Sequence, residues 1–142
     1  MSQCSECGAP NAICQARFDE FLVLEFTDAR FGAVHYLTVA AYMLQHSSKL
    51  TMEGWLFERV MLRQFLIEKK MPAFIRKLNH DKVDGRKRDF KIKSKTGRPV
   101  ISRNTWEKSI LDVRTDNAED YCADVKTWAM AVLHESETIE LK

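Results

Sequence analysis

The sequence predicts a mainly α-helical fold, a compact single-domain helical bundle. Three observations predict it. Apolar residues recur at three- and four-residue spacing over several stretches. Residues that cap helices, Thr51 and Asn117, stand directly ahead of two of those stretches. The chain has 142 residues, 45% of them hydrophobic and 30% charged. That is ordinary globular composition and room for one domain, and a domain of this size buries roughly two thirds of its unfolded surface. The single domain is expected to span residues 1–142, with a metal-knuckle loop at 1–14, helices over 15–80, a basic arm at 81–105 and C-terminal helices over 106–135.

Residues 1–14 read as a loop punctuated by Gly8 and Pro10. Phe18, Phe21, Leu22, Glu25 and Phe26 then have helical spacing, which predicts a helix over 14–27. Residues 27–32 break it. A second helix is predicted over 33–46, with Val34, Leu37, Ala41 and Leu44 forming one stripe and His35, Thr38, Val39, Tyr42 and His46 another. Ser47 and Ser48 end it.

Thr51 opens a third helix, which the charges of Lys69 and Lys70 suit as a C-terminus. Pro72 fits the first turn of a short helix over 73–80. Turn signals at Asp84-Gly85 and Thr96-Gly97 frame the alternating segment Phe90-Lys91-Ile92-Lys93, which predicts a weak hairpin or an extended arm before the last helix. A short helix or an extended stretch surrounds Trp106. The last helix is the clearest: Ala118, Tyr121, Cys122, Val125, Trp128, Ala129, Val132 and Leu133 follow its period.

No apolar run approaches the roughly 18 residues of a membrane span. The N-terminus lacks a basic region followed by an apolar stretch, so a cytoplasmic protein is expected. The net charge of +2 implies no partner by itself, but its distribution is uneven. Residues 82–103 hold nine basic side chains against Asp84 and Asp89, a balance of +7, beside a C-terminal third of balance −5. Internal neutralisation explains such a pattern. A nucleic-acid or other polyanion footprint over residues 86–103 is the alternative. It would use Arg86, Lys87, Arg88, Lys91, Lys93, Lys95, Arg98 and Arg103, with Phe90 and Trp106 stacking on bases.

Three of the four cysteines, Cys4, Cys7 and Cys14, fall in the first 14 residues. In a reducing compartment, clustered cysteines point to a metal or to redox chemistry rather than to disulfides. Cys4-Ser5-Glu6-Cys7-Gly8 is a C-x-x-C-G unit whose two thiolates reach one ion from the same side of a tight turn. Cys14 can return a third. Thiolates favour zinc or iron over magnesium or calcium, and zinc is the expected cofactor. A redox pair fits less well, because no strand precedes Cys4 to set it at a helix N-terminus.

The fourth ligand is open among His35, His46, Cys122 and a water or carboxylate. His35 and His46 share one helix face but lie about 16 Å apart along its axis, so one ion cannot take both. His35 is preferred, because the loop before it can fold against the knuckle; His46 is the alternative. Cys122 lies on an apolar stripe and reads as a core cysteine. A closed shell makes the zinc structural. An open position would allow hydrolysis, with Glu25, Asp28 or Tyr42 as acid, base or orienting group and a pocket formed by Tyr42, Gln45 and His46. Read structurally, Glu25 is a solvated helix position, Asp28 a helix end and Tyr42 a core phenol. No H-E-x-x-H motif supports a hydrolase.

Two motifs together, the opening C-x-x-C-G-A of residues 4–9 with Cys14, and the run from His35 to His46, resemble a family of small bacterial proteins of unknown function. Its members carry a cysteine knuckle and an H-x-L-x-V-x-x-Y-x-L-Q-H-P-like helix. Trp128 in the final helix fits as well, and Ser47 stands where a proline is usual. The resemblance implies that Cys4, Cys7, His35, Gln45 and His46 matter together. It implies no activity. Three functions follow from these readings: a non-catalytic binding or adaptor module with a structural zinc, a metal-dependent hydrolase, and a nucleic-acid binder.

Overall fold

The computed structural model describes residues 3–69, 97–101 and 105–139. Five helices form among them: α1 (Cys14–Thr27), a single turn α2 (Ala29–Gly32), α3 (His35–Gln45), α4 (Met52–Leu66) and α5 (Ala118–Ser136). Short 3-10 turns at Pro10–Ala12, Ser47–Lys49 and Ile110–Asp112 join them. The fold is mainly helical, as the periodicity predicts. The short helix expected over 73–80, the hairpin segment at 90–93 and most of the basic arm lie outside the described residues.

Local chemistry sets the helix ends. Thr51 caps α4 by accepting a hydrogen bond from the Gly54 N–H, and Asn117 caps α5 by accepting from the Asp120 N–H. Asp28 caps α2 through the Arg30 N–H, so the expected break after α1 contains one helical turn. That turn closes tightly because residue 32 is glycine: a Cβ there would stand 2.5 Å from the Glu25 carbonyl oxygen. Helix α4 ends at Leu66, a few residues before the lysines expected to close it.

Helix α3 is the centre of the molecule. It packs against both α4 and α5 and touches α1. Leu37, Ala41 and Leu44 are buried on it, facing Trp55 and Leu62 of α4 and Tyr121, Trp128 and Leu133 of α5 in one core. The indole and amide groups of this core that join α3 to its neighbours are paired. The Trp55 indole N–H donates to the Leu44 carbonyl at 3.0 Å, and the Trp128 indole N–H donates to Gln45 Oε1 at 3.1 Å. Gln45 in turn donates to the Lys108 carbonyl at 2.7 Å. Gln45 therefore cross-links α3, α5 and the 105–113 segment. Among the described residues, no helix is long and apolar enough to cross a membrane.

Candidate metal centre

The knuckle is a tight turn made by backbone geometry. The Cys4 N–H donates to the Ala9 carbonyl and the Gly8 N–H donates to the Cys4 carbonyl, both at 2.9 Å. Gly8 has φ of 82°, a left-handed conformation that glycine takes without a Cβ clash. Ala12 takes φ of 52° without that freedom, and this turns the chain into α1. Cys14 is the first residue of α1 and begins its buried stripe, followed by Phe18, Phe21 and Glu25.

The knuckle docks on the C-terminal end of α3. Glu6 accepts from the Ser48 N–H at 2.8 Å and from the Ser48 hydroxyl at 2.6 Å, while its own carbonyl accepts from the Trp106 indole at 3.1 Å. Ser47 Oγ accepts from the Val100 N–H at 3.1 Å. These contacts set the three cysteines beside His46. One ligand atom from each of Cys4, Cys7, Cys14 and His46 lies within 4.8 Å of all the others. A tetrahedral thiolate shell with bonds of about 2.3 Å has edges of roughly 3.8 Å, so a contraction of at most about 1 Å would close it. The four residues lie close enough to hold a metal ion.

His35, preferred on sequence as the fourth ligand, is not in this group; His46 is. The physical reason lies at the two ends of α3. The last carbonyls of a helix have no intrahelical partner. His46, the residue that ends α3, uses one of them: its Nδ1 lies 2.8 Å from the Tyr42 carbonyl oxygen. A carbonyl accepts only, so Nδ1 carries the proton and Nε2 is left with a lone pair. That Nε2 is buried and has no hydrogen-bond partner among the described residues. Such an atom is costly to bury unless something binds it. The same arrangement orients imidazoles toward metals in general, with one nitrogen held by a carbonyl and the other on the ion.

The electrostatics fit a cation. Burial pushes the Cys7 thiol well above its ordinary value; the Ala9 backbone opposes this, and charge on Cys14 and Cys4 adds to it. Burial likewise raises Cys14. Burial also acts upward on Cys4, but hydrogen bonds from the backbone of Cys7 and Glu6 and from the neighbouring thiols outweigh it, and its net shift is downward. Three crowded thiols thus resist ionising together unless a cation compensates their charge. Burial lowers His46, against the pull of the Tyr42 carbonyl, and favours the neutral ring that ligation needs.

Tyr42 is a core phenol, as its structural reading has it. Its ring stacks on His46 and on Phe18, each at a centroid distance of 4.0 Å, and its hydroxyl donates to Gln15 Oε1 at 3.2 Å. Burial pushes this phenol up, and charge on Cys14, Cys7 and Cys4 adds to the shift. Asp28 is a helix cap paired with Arg30 at 2.8 Å. Cys122 is half-buried rather than a fully buried core residue; its thiol donates to the Arg30 carbonyl at 3.2 Å.

Glu25 corrects the reading of a solvated position. It is buried at 5% exposure, because it continues the Cys14–Phe18–Phe21 stripe. Its carboxylate accepts from Thr38 and Tyr121 hydroxyls at 2.5 Å and faces His35 Nδ1 at 2.8 Å. Of the residues expected to form a basic footprint, only Arg98 and Trp106 are described, and Trp106 is held on Glu6 and packed against the core.

A model of the family of unknown function DUF5946 matches residues 2–137, and the chain belongs to that family. No curated protein and no solved structure matches it.

Proposed function

We propose that this protein is a zinc-stapled helical domain in which Cys4, Cys7, Cys14 and His46 close a structural shell, and that it acts as a non-catalytic binding or adaptor module. The observation that carries the reading is that His46, whose buried Nε2 is unpartnered, groups with three cysteine sulfurs. Three thiolates and one imidazole form a saturated set for zinc, and a saturated set suits structure rather than catalysis. Three of the four ligand residues are buried, which also suits a site closed to substrate. The metal's part would be to fix residues 4–14 against the end of α3, a loop with little core of its own.

Zinc that assembles such a site contributes its binding energy to folding, an apparent ~10–16 kcal/mol in small zinc peptides. Chelation with excess EDTA, followed by far-ultraviolet circular dichroism, tests the reading. The expected result is cooperative loss of helix that returns with zinc. Full helicity and an unchanged melting temperature after verified metal removal would contradict it.

A further inference from the structure

The opposite end of α3 carries a second built arrangement, around Glu25 and His35. The Glu25 side chain is fully buried, and both its oxygens are engaged: Oε2 by Thr38 and Tyr121, Oε1 by His35 Nδ1. An ionised carboxylate only accepts, so it holds the neutral imidazole as the Nδ1–H tautomer. The His35 ring is itself partly exposed, at 29%. Its Nε2, on the far side of the ring from Glu25, has no hydrogen-bond partner among the described residues.

His35 and Glu25 line an open cleft of about 330 Å³, walled by Phe26, Ala29, Ala33 and Tyr36. Phe26 is 74% exposed, the most exposed of the large apolar side chains among the described residues, and its ring centroid lies 5.0 Å from that of His35. Among the described residues, no lysine or arginine lines the cleft. An anionic ligand would therefore find no basic partner among these residues, and the Glu25 carboxylate is buried with both oxygens already engaged, while a flat apolar body would find an aromatic wall beside a fixed hydrogen-bond acceptor.

We propose that this cleft binds an uncharged phenol, whose ring lies against Phe26 and whose hydroxyl donates a hydrogen bond to His35 Nε2. Glu25 is the positioning residue: it fixes which nitrogen accepts. Thr38 and Tyr121 satisfy the other carboxylate oxygen and keep Glu25 from turning away. A phenol suits the site better than an aliphatic alcohol, because its ring adds aromatic contact and its hydroxyl is the stronger donor. The proposal is independent of the metal centre at the other end of the helix.

The test uses the full chain with its metal, p-cresol as the probe and 4-methylanisole, which lacks the hydroxyl, as the control. Long-range ¹H–¹⁵N spectra of the imidazoles report the tautomer and the state of each nitrogen. The expected spectrum of the free protein with a neutral His35 has a protonated Nδ1 and a bare Nε2. Millimolar p-cresol should move the Nε2 resonance toward protonated values, and 4-methylanisole should leave it in place. Phe26→Ala, a change at an exposed side chain that leaves the core intact, should weaken p-cresol binding by about two- to tenfold. The opposite tautomer, an Nε2 resonance unmoved by p-cresol, an equal response to both probes, or undiminished binding in Phe26→Ala would each overturn it.

Discussion

Two histidines eleven residues apart, one opening α3 and one ending it, meet different chemistry. At the end of α3, His46 is buried beside three cysteines, its Nδ1 is tied to a neutral carbonyl and its Nε2 has no hydrogen-bond partner among the described residues. At the start of α3, His35 is partly exposed and its Nδ1 is tied to a buried carboxylate. The contrast teaches that residue type and helical face do not decide a histidine's role. What its first nitrogen bonds to, and whether its second is buried, decide it. A carbonyl partner with burial gives a neutral ring ready to ligate. A carboxylate partner at the surface gives an oriented ring facing a cleft.

The comparison breaks most completely at the knuckle. Cys7→Ser should abolish metal retention and, with it, most of the ~5–15 kcal/mol that a domain of this kind holds in reserve. Loss of the cooperative thermal transition would be the readout. Glu25→Ala should be the largest effect at the other end, because it leaves three donors without their acceptor. Breaking a buried pair in this way costs about 3–5 kcal/mol. Chemical denaturation should report that loss while zinc content stays unchanged, which separates the two ends.

Gln45→Leu lies between the two histidine sites and sharpens the contrast. It unpairs the Trp128 indole and the Lys108 carbonyl, and a loss of about 1–3 kcal/mol in urea unfolding is expected. Tyr121→Phe removes a single donor to Glu25. The expected loss is about 1.5–3 kcal/mol, since the acceptor is charged. The smallest effect belongs to Ala12→Gly. It relieves a left-handed φ that costs an alanine about 1–2 kcal/mol, offset by roughly 0.5–1 kcal/mol of glycine chain entropy. A rise in melting temperature of a few degrees at most should follow.

Much of this was legible in the residues. The helix stripes and the caps at Thr51 and Asn117 gave the elements nearly to their ends, because burial and capping are local signals. The three cysteines were legible as a cluster. The fourth position of that cluster was legible only as a choice, because the choice depends on which end of α3 the knuckle docks against. Glu6, through Ser48, and Trp106 hold that docking, and no spacing in the sequence announces contacts 42 and 100 residues apart. A weak signal for His46 did exist: it ends a helix, where free carbonyls can hold a ring nitrogen. Glu25 had a stronger one, since it stands in step with Phe18 and Phe21 on the buried face of α1. What the sequence hid were its donors, Thr38 and Tyr121, brought from other helices.

The most direct measurement is the zinc content of protein purified without added metal, compared between the wild-type chain, His46→Ala and His35→Ala. The expected result is about one equivalent of zinc in the wild type and in His35→Ala, and its loss in His46→Ala. Zinc lost from His35→Ala and kept by His46→Ala, or kept in full by both, would contradict the assignment of the two ends of α3.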